Sequence, residues 1–352
     1  MRLPPAWVRR PVAVVGLLAV LALAVVLAPV LLVVAAVRDI VSAGRWRAVR
    51  LLGFLLVYLL LELGALLAAL ALWVASGLGW RLDSPRFRRA HYAVLRRVLH
   101  ALVAAAQRLF RLRVTTVGPS WSPLDDGVPG STNAMLVLSR HAGPGDSVLL
   151  VETLMNRDHL RRPRIVLKAV LQLDPMVDVY LNRLPNRFLV PGRADLAEEV
   201  GALARGLGEE DAFLIFPEGG NFTQGRRRRV IEALRGGGRH TEAGRAERMV
   251  HVLPPRTGGV LAALAAAPTA DVVFVAHTGL EHLSTLRDIW RGLPMDGEVL
   301  MRWWFVPADE VPRSRHLQSE WLYERWSEID RWIGEHRPDP VPRRAGTEAE
   351  AS

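Results

Sequence analysis

Two long apolar runs open the chain, and short apolar runs alternate with mixed segments after them. Residues 12–37 carry no charge and residues 51–74 carry only Glu62, so each run is long enough for a helix across a hydrocarbon core of roughly 30 Å. Apolar residues then recur at three- and four-residue steps, with arginines on another face, which indicates an amphipathic helix. The pattern predicts a helical membrane hairpin over residues 1–80 and a basic amphipathic helix over residues 81–113.

Beyond residue 113, the hydrophobic pattern changes to short β-branched runs separated by longer segments of helical periodicity. The predicted strands are residues 114–117, 134–138, 164–167, 187–190, 212–216, 271–276 and 299–306, and the predicted helices are residues 146–156, 195–206, 226–234 and 318–336. This alternation favours an α/β sandwich with a central mixed sheet over residues 114–336. Residues 337–352 are expected to form a disordered tail.

Composition narrows the class of protein. The 352 residues include no cysteine, which excludes disulfides, thiolate metal sites and a cysteine nucleophile. The formal net charge of +10 at pH 7 indicates an anionic partner, either membrane lipid, nucleic acid or a phosphorylated small molecule. No basic repeat is interleaved with aromatic residues and no helix-turn-helix pattern occurs, so we expect no nucleic-acid partner.

The arginines around the apolar runs predict how the chain sits in a membrane. They are more numerous before the first run and after the second than in the connection between them. If both runs cross, the positive-inside rule places the large domain on the cytoplasmic side of the cell membrane. Glu62 near mid-bilayer would be costly, which leaves a shallower hairpin that never fully crosses as the alternative.

The first segment with candidate chemistry follows a buried-looking strand that ends at His141. A Gly-Pro-Gly loop separates this histidine from Asp146, which is suited to begin a helix. A carboxylate on the far nitrogen of an imidazole fixes its tautomer and steadies its charged form, so His141 with Asp146 can form a general base. Taken alone, a histidine and an aspartate at this spacing are more often a loop residue and a helix cap.

Three further segments follow in order. In the first of these segments, a short strand is followed by Arg193 at the start of a helix, where a phosphate can bind. In the next segment, a buried strand ends at a proline, and Glu218 and Gly219 follow at the sheet edge. Ligands commonly bind at this edge in α/β folds. The last is a proline-rich turn that projects Arg256. Each segment alone is typical of a structural turn or of an arginine exposed to solvent. All of them in this order, after a membrane hairpin, indicate a functional site.

In that order the segments resemble the motifs of the glycerolipid acyltransferase family, which includes 1-acylglycerol-3-phosphate acyltransferases. His141 and Asp146 match its His-x4-Asp motif, residues 188–193 its second block, residues 216–219 its Phe-Pro-Glu-Gly block, residues 253–258 its fourth block, and Lys168 falls where a lysine is common. Phe222-Thr223 and residues 317–330 look most like the branch of lysocardiolipin and related lysophospholipid acyltransferases.

Two positions depart from the family pattern. Arg140 stands where an asparagine usually precedes the histidine, and Gly220-Asn221 replace the usual Thr-Arg of the third block. Loss of that arginine puts the standard phosphate contact in doubt. The run of arginines at positions 226–229 offers a replacement, although such a run is typical of a solvated helix face.

The resemblance implies transfer of an acyl group from an acyl-CoA or acyl-carrier-protein thioester to a lysophospholipid hydroxyl, with 1-acyl-sn-glycerol-3-phosphate as the expected acceptor in phospholipid biosynthesis. His141 would deprotonate the hydroxyl, and Asp146 would orient His141. The residues expected to bind substrate are Arg193, Glu218, Gly219, Arg256 and Lys168. No metal or tightly bound cofactor is expected. The alternatives are another lysolipid or glycolipid acceptor, or a catalytically inactive membrane protein that binds anionic lipid.

Overall fold

A seven-stranded mixed sheet forms the centre of the computed structural model, which describes residues 3–41, 45–118, 133–143, 145–156, 160–189, 196–281 and 286–337. The strands are β1 (Arg113–Thr116), β2 (Met135–Ser139), β3 (Arg162–Lys168), β4 (Arg187–Leu189), β5 (Asp211–Ile215), β6 (Asp271–Thr278) and β7 (Glu298–Val306). Their spatial order is β1-β7-β6-β2-β5-β3-β4, and every pair is parallel except β6 with β7. The prediction of an α/β fold with a central mixed sheet is confirmed.

Eleven α-helices occur in the described residues. They are α1 (Ala6–Val41), α2 (Arg47–Ala75), α3 (Pro85–Phe110), α4 (Asp146–Met155), α5 (Pro175–Arg183), α6 (Leu196–Ala204), α7 (Gln224–Gly236), α8 (His240–Arg248), α9 (Thr257–Ala266), α10 (Leu286–Gly292) and α11 (Arg315–His336). A 3₁₀ helix, Ala169–Leu173, joins β3 to α5. Four of these helices, α5, α8, α9 and α10, were not predicted. The tail predicted over residues 337–352 lies outside the described residues, apart from Arg337.

The sheet is buried on both faces by helical layers. In β2, Met135 and Val137 face a core that includes residues of α3, α4 and α5, whereas Leu136 and Leu138 face a core that includes residues of α6, α9 and α11. All five residues of β2 are buried. Parallel strands covered on both faces lack the alternation of polar and apolar residues, which explains the unbroken apolar run before His141.

The first two helices form the expected hairpin. Both are long and apolar enough to cross a membrane, judged by length and composition alone. They pack together through a small apolar cluster that includes Leu17, Leu21 and Leu59. Asp39 closes the hairpin because its carboxylate accepts the backbone N–H groups of Ala48 and Val49, which lack partners within the first turn of α2.

Glu62 does not face lipid. Its side chain is buried, and its carboxylate accepts the N–H of Met176 at 3.2 Å, at the amino end of α5. A helix amino terminus presents unpaired N–H groups and a positive dipole end, which stabilise a carboxylate there. The residue that seemed costly for a membrane segment therefore joins the hairpin to the sheet domain.

Candidate active site

His141 and Asp146 lie side by side at the carboxyl end of the central strand β2. His141 lies two residues beyond the end of the strand at Ser139, and Asp146 is the first residue of α4. Gly145, between them, has a φ of +94°, in the left-handed region that favours glycine. This turn brings the Asp146 carboxylate to 2.9 Å from His141 Nδ1. The structure thus brings the two residues together, and their catalytic role stays a prediction.

The Asp146 carboxylate is held in one orientation. It accepts the backbone N–H groups of Ala142 at 2.8 Å, Gly143 at 3.2 Å and Ser147 at 2.6 Å, besides its bond with His141. Burial raises the pKa of Asp146, but the hydrogen bond from His141, the nearby His277 and the Gly143 N–H outweigh it and bring the pKa to about 2. An ionised carboxylate on Nδ1 keeps the proton there, so Nε2 is the nitrogen that accepts a proton.

The two side chains differ in access. The His141 side chain is 19% exposed, whereas that of Asp146 is only 1% exposed. The imidazole also packs on Phe216, with ring centroids 4.6 Å apart. A base that is reachable from outside and supported by a buried carboxylate can take a proton from a bound alcohol.

Glu218 connects the third motif to the histidine. Because β2 and β5 are parallel neighbours, their carboxyl ends meet at one edge of the sheet. Glu218 Oε1 accepts the His141 N–H at 3.1 Å, and Oε2 accepts the Leu253 N–H at 3.0 Å. Burial raises the pKa of Glu218 to about 7, although Arg140 and the two N–H donors lower it. Glu218 therefore accepts hydrogen bonds from backbone N–H groups, and these bonds join the residues after β2 to the segment before α9.

A second buried group behind the dyad was not identified from the sequence. His277 Nε2 lies 3.7 Å from the Asp146 carboxylate, and neither ring nitrogen has a hydrogen-bond partner within the described residues. Burial and the charge of Arg140 lower its pKa to about 4, so this imidazole is neutral at pH 7. The signal was present in β6, a fully buried strand whose apolar run ends in His277-Thr278.

Arg140, the first departure from the family pattern, points into the protein. Its side chain is fully buried and donates to the carbonyl oxygens of His277 at 2.7 Å and His251 at 3.2 Å. It also pairs with the Glu281 carboxylate at 2.6 Å. The arginine therefore joins the ends of β2 and β6 to the loop at His251.

The other predicted substrate-binding residues are distributed around this edge. Gly219 follows Glu218 in a turn with a φ of +66°. Arg256 is exposed, and its N–H donates to the carbonyl of Pro217 at 2.8 Å, beside Glu218. Lys168 is exposed at the carboxyl end of β3. Arg193 lies outside the described residues.

Comparison with known proteins identifies an acyltransferase domain in the chain. Residues 125–277, which contain His141, Asp146 and Glu218, match a family model described as Acyltransferase. No curated protein matches the chain. The crystal structure of the 1-acyl-sn-glycerophosphate (LPA) acyltransferase PlsC from Thermotoga maritima superposes with a TM-score of 0.48 and 19% identity, over 80% of this chain and 98% of that chain. The match to the family model confirms the resemblance found in the motifs: residues 125–277 form an acyltransferase domain, and the chain is an acyltransferase.

Proposed function

We propose that the enzyme transfers an acyl group from an acyl-CoA or acyl-carrier-protein thioester to the free hydroxyl of a lysophospholipid, with 1-acyl-sn-glycerol-3-phosphate as the acceptor. The observation that carries the proposal is the 2.9 Å contact between His141 Nδ1 and the buried Asp146 carboxylate, which leaves Nε2 as the base. The acceptor class rests on the resemblance of the four motifs and on the arginines beside this base. The step needs no metal and no tightly bound cofactor.

The chemistry follows from the dyad. The acceptor O–H gives its proton to His141 Nε2 as its oxygen attacks the thioester carbonyl, and Asp146 steadies the imidazolium that forms. The tetrahedral intermediate then collapses, the C–S bond breaks, and the sulfur takes the proton from Nε2 to leave as a thiol. A thioester is already activated, so the enzyme forms no covalent intermediate. Orientation of the two substrates at the dyad supplies much of the remaining rate enhancement.

The hairpin supports a location at the cell membrane. Both of its ends contact the sheet domain: Arg9 and Arg10 pair with Asp178 of α5 at 2.6 and 2.9 Å. At the turn of the hairpin, Arg47 donates to the carbonyl of Leu293 at 2.7 Å. A hairpin fixed at both ends to one domain cannot extend away from it across a bilayer. We therefore propose that it lies along the membrane and enters one leaflet.

The membrane-facing surface extends beyond the hairpin. The 3₁₀ helix Ala169–Leu173 exposes Val170, Leu171 and Leu173, and the next residue, Asp174, accepts a hydrogen bond from Tyr58 of α2. Exposed apolar side chains that adjoin an apolar hairpin are suited to the lipid interface. Because this segment follows β3 at the same sheet edge as His141, a lysolipid in that leaflet lies close to the dyad.

An acyl-transfer assay tests the proposal. Purified full-length protein in mixed micelles is given acyl-CoA or acyl carrier protein with a panel of lysophospholipids and a monoacylglycerol. We expect turnover with 1-acyl-sn-glycerol-3-phosphate and a decrease of about 10²- to 10⁴-fold in kcat for His141→Ala. His316→Ala, which removes an exposed histidine of α11, serves as the control and should retain activity. Equal activity of the two variants would exclude His141 as the base, and preference for another lipid would replace the acceptor.

A further inference from the structure

The turn after β5 is fixed to the catalytic histidine. His141 N–H donates to Glu218, and the N–H of Phe222 donates to the carbonyl of His141 at 2.8 Å. Residues 218–222 therefore form a short turn whose two ends are both bonded to His141. Any group that lies against this turn is a neighbour of the dyad.

Two guanidinium groups lie against this turn, one over each of its glycines. A Cβ atom at Gly219 would come within 2.9 Å of Arg256 Nε, and a Cβ atom at Gly220 would overlap the Arg226 guanidinium. Arg226 Nη1 also donates to the carbonyl of Asn221 at 3.0 Å. The two arginines occupy the space that side chains at positions 219 and 220 would fill, so glycine at both positions allows their approach.

Neither arginine is neutralised within the part of the chain that the structure describes. Arginines of α7 and α8 elsewhere have carboxylate partners, such as Arg235 with Glu247 and Arg245 with Glu320. No ion pair with a carboxylate is found for Arg226 or Arg256 in that part. Two positive groups held beside a catalytic base without a counter-charge are suited to bind an anion, and the guanidinium fork matches phosphate in particular.

The position of the pair fits a phosphate on the acceptor. In a glycerol 3-phosphate ester, the reacting hydroxyl and the phosphate are on adjacent carbons. A hydroxyl at His141 Nε2 therefore requires its phosphate site close by, and the turn at residues 218–222 borders the histidine. Arg226 begins the run at positions 226–229, and it is the member of that run whose guanidinium contacts Gly220.

We propose that Arg226, together with Arg256, binds the phosphate of the acceptor. Arg226 would then replace the arginine that the third block of the family usually has where this chain has Asn221. This inference rests on the proposed function, because it assumes a phosphorylated acceptor at His141. The neighbouring Arg228 is exposed on the same helix, and no hydrogen bond from it to the turn is found in the described structure, so it provides a matched control for the loss of one positive charge.

The kinetic test compares Arg226→Gln, Gly220→Ala and Arg228→Gln in the full-length protein. With 1-acyl-sn-glycerol-3-phosphate, Arg226→Gln should raise the acceptor KM about 10- to 100-fold, the range for a lost charge-assisted hydrogen bond. Gly220→Ala retains the arginine but displaces it, and it should raise the acceptor KM as well. Arg228→Gln should match the wild type. Activity towards a monoacylglycerol, which has no phosphate, should be the same in all of them.

A binding measurement separates this inference from the proposed function. Calorimetry with glycerol 3-phosphate, which needs no turnover, should show weaker binding to Arg226→Gln than to Arg228→Gln. Equal binding and equal acceptor KM in these two variants would overturn the assignment of Arg226, even if the wild type is active. A rise in the acyl-CoA KM alone would also overturn it, because the arginine would then bind a donor phosphate. Absence of transfer by the wild type with intact glycerol 3-phosphate binding would refute the proposed function and leave the phosphate site supported.

Discussion

At the scale of single residues, the site contains two buried carboxylates with very different pKa values. One stays ionised, and burial raises the pKa of the other to near neutrality. Asp146 has five donors around it and a pKa of about 2. Glu218 has two backbone donors, is fully buried, and has a pKa of about 7. The number of hydrogen bonds to the charged form separates the two groups, because both are buried. Asp146 can therefore orient a base at all physiological pH values, whereas Glu218 titrates near neutrality.

Glu218 should make stability fall as pH rises. Its pKa in the folded protein lies above the ordinary value of 4.5, so the folded state binds the proton more tightly than the unfolded state does. The stabilisation is complete below about pH 4.5 and is lost as pH rises through about 7. The full effect is at most about 3 kcal/mol. We expect the thermal midpoint of the wild type to fall, relative to that of Glu218→Gln, between pH 5 and pH 8.

The comparison with Glu218→Gln isolates this group from others that titrate nearby. His277 contributes with the opposite sign, because its lowered pKa of about 4 makes stability fall as pH decreases below about 6.5. Asp146 matters only below about pH 4, as its carboxylate protonates. Both groups are present in the wild type and in the variant. A difference in thermal midpoint that does not change with pH would show that Glu218 does not titrate in this range.

The residues of the site differ in how far the sequence could reveal them. His141 and Asp146 are five positions apart, so a strand, a glycine turn and a helix start are enough to predict their proximity. His277 reaches Asp146 only because β6 is the parallel neighbour of β2, with Ser139 paired to Val275. Strand order is a property of the tertiary fold. The sequence therefore predicted the dyad, whereas it showed His277 only as the end of a buried run and not as a neighbour of Asp146.

At the scale of secondary-structure elements, all seven strands had counterparts in the hydrophobic pattern, but four helices did not. Helix α9 shows the reason most clearly, since Thr257-Gly-Gly259 was interpreted as part of a turn. These glycines lie in the first turn of a helix that packs closely on α6, where a Cβ atom at Gly259 would lie 3.7 Å from Val200. Tertiary packing overrides the low helix propensity of glycine at this crossing.

Arg140 joins three elements, and its replacement should destabilise the protein. Arg140→Asn introduces the residue that is usual in the family that the motifs resemble. It leaves two buried carbonyl groups and the Glu281 carboxylate without this donor. Breaking a buried charge pair typically costs about 3–5 kcal/mol. We expect a clear decrease in the thermal midpoint in detergent. Arg228→Gln, which removes an exposed arginine, should leave the midpoint unchanged, and a stable Arg140→Asn protein would refute this structural role.

At the scale of the whole molecule, the hairpin is part of the folded domain on one side and apolar on the other. Its buried side carries the polar contacts at Asp39, Glu62 and the two arginines before α1's apolar run. The sequence could not separate a crossing hairpin from a shallow one, because both need the same apolar runs. Contacts at both ends with a single domain favour the shallow arrangement, since the domain would otherwise have to enter the bilayer with the hairpin.

Depth measurements distinguish the two arrangements, and the absence of cysteine from the sequence makes single labels possible. Val12, Val26 and Ile40 are exposed at the start, middle and end of α1, a helix about 54 Å long at 1.5 Å per residue. Each is replaced by cysteine and labelled with an environment-sensitive fluorophore. The protein is then bound to vesicles whose lipids carry fluorescence quenchers at known depths. A helix that lies along the membrane predicts similar, shallow depths at the three positions, whereas a crossing helix makes position 26 the deepest.

Two further labels test whether the membrane surface includes the segment beside the active site. A label at Leu171, on the 3₁₀ helix after β3, should shift to shorter emission wavelengths on vesicle binding, because this exposed residue adjoins the hairpin. A label at Leu317, which is also exposed but lies on α11, should not shift. A shift at Leu317 without one at Leu171 would mean that the opposite side of the sheet faces the lipid. The acceptor would then have to leave the bilayer to reach His141, and the route proposed for the lysolipid would be wrong.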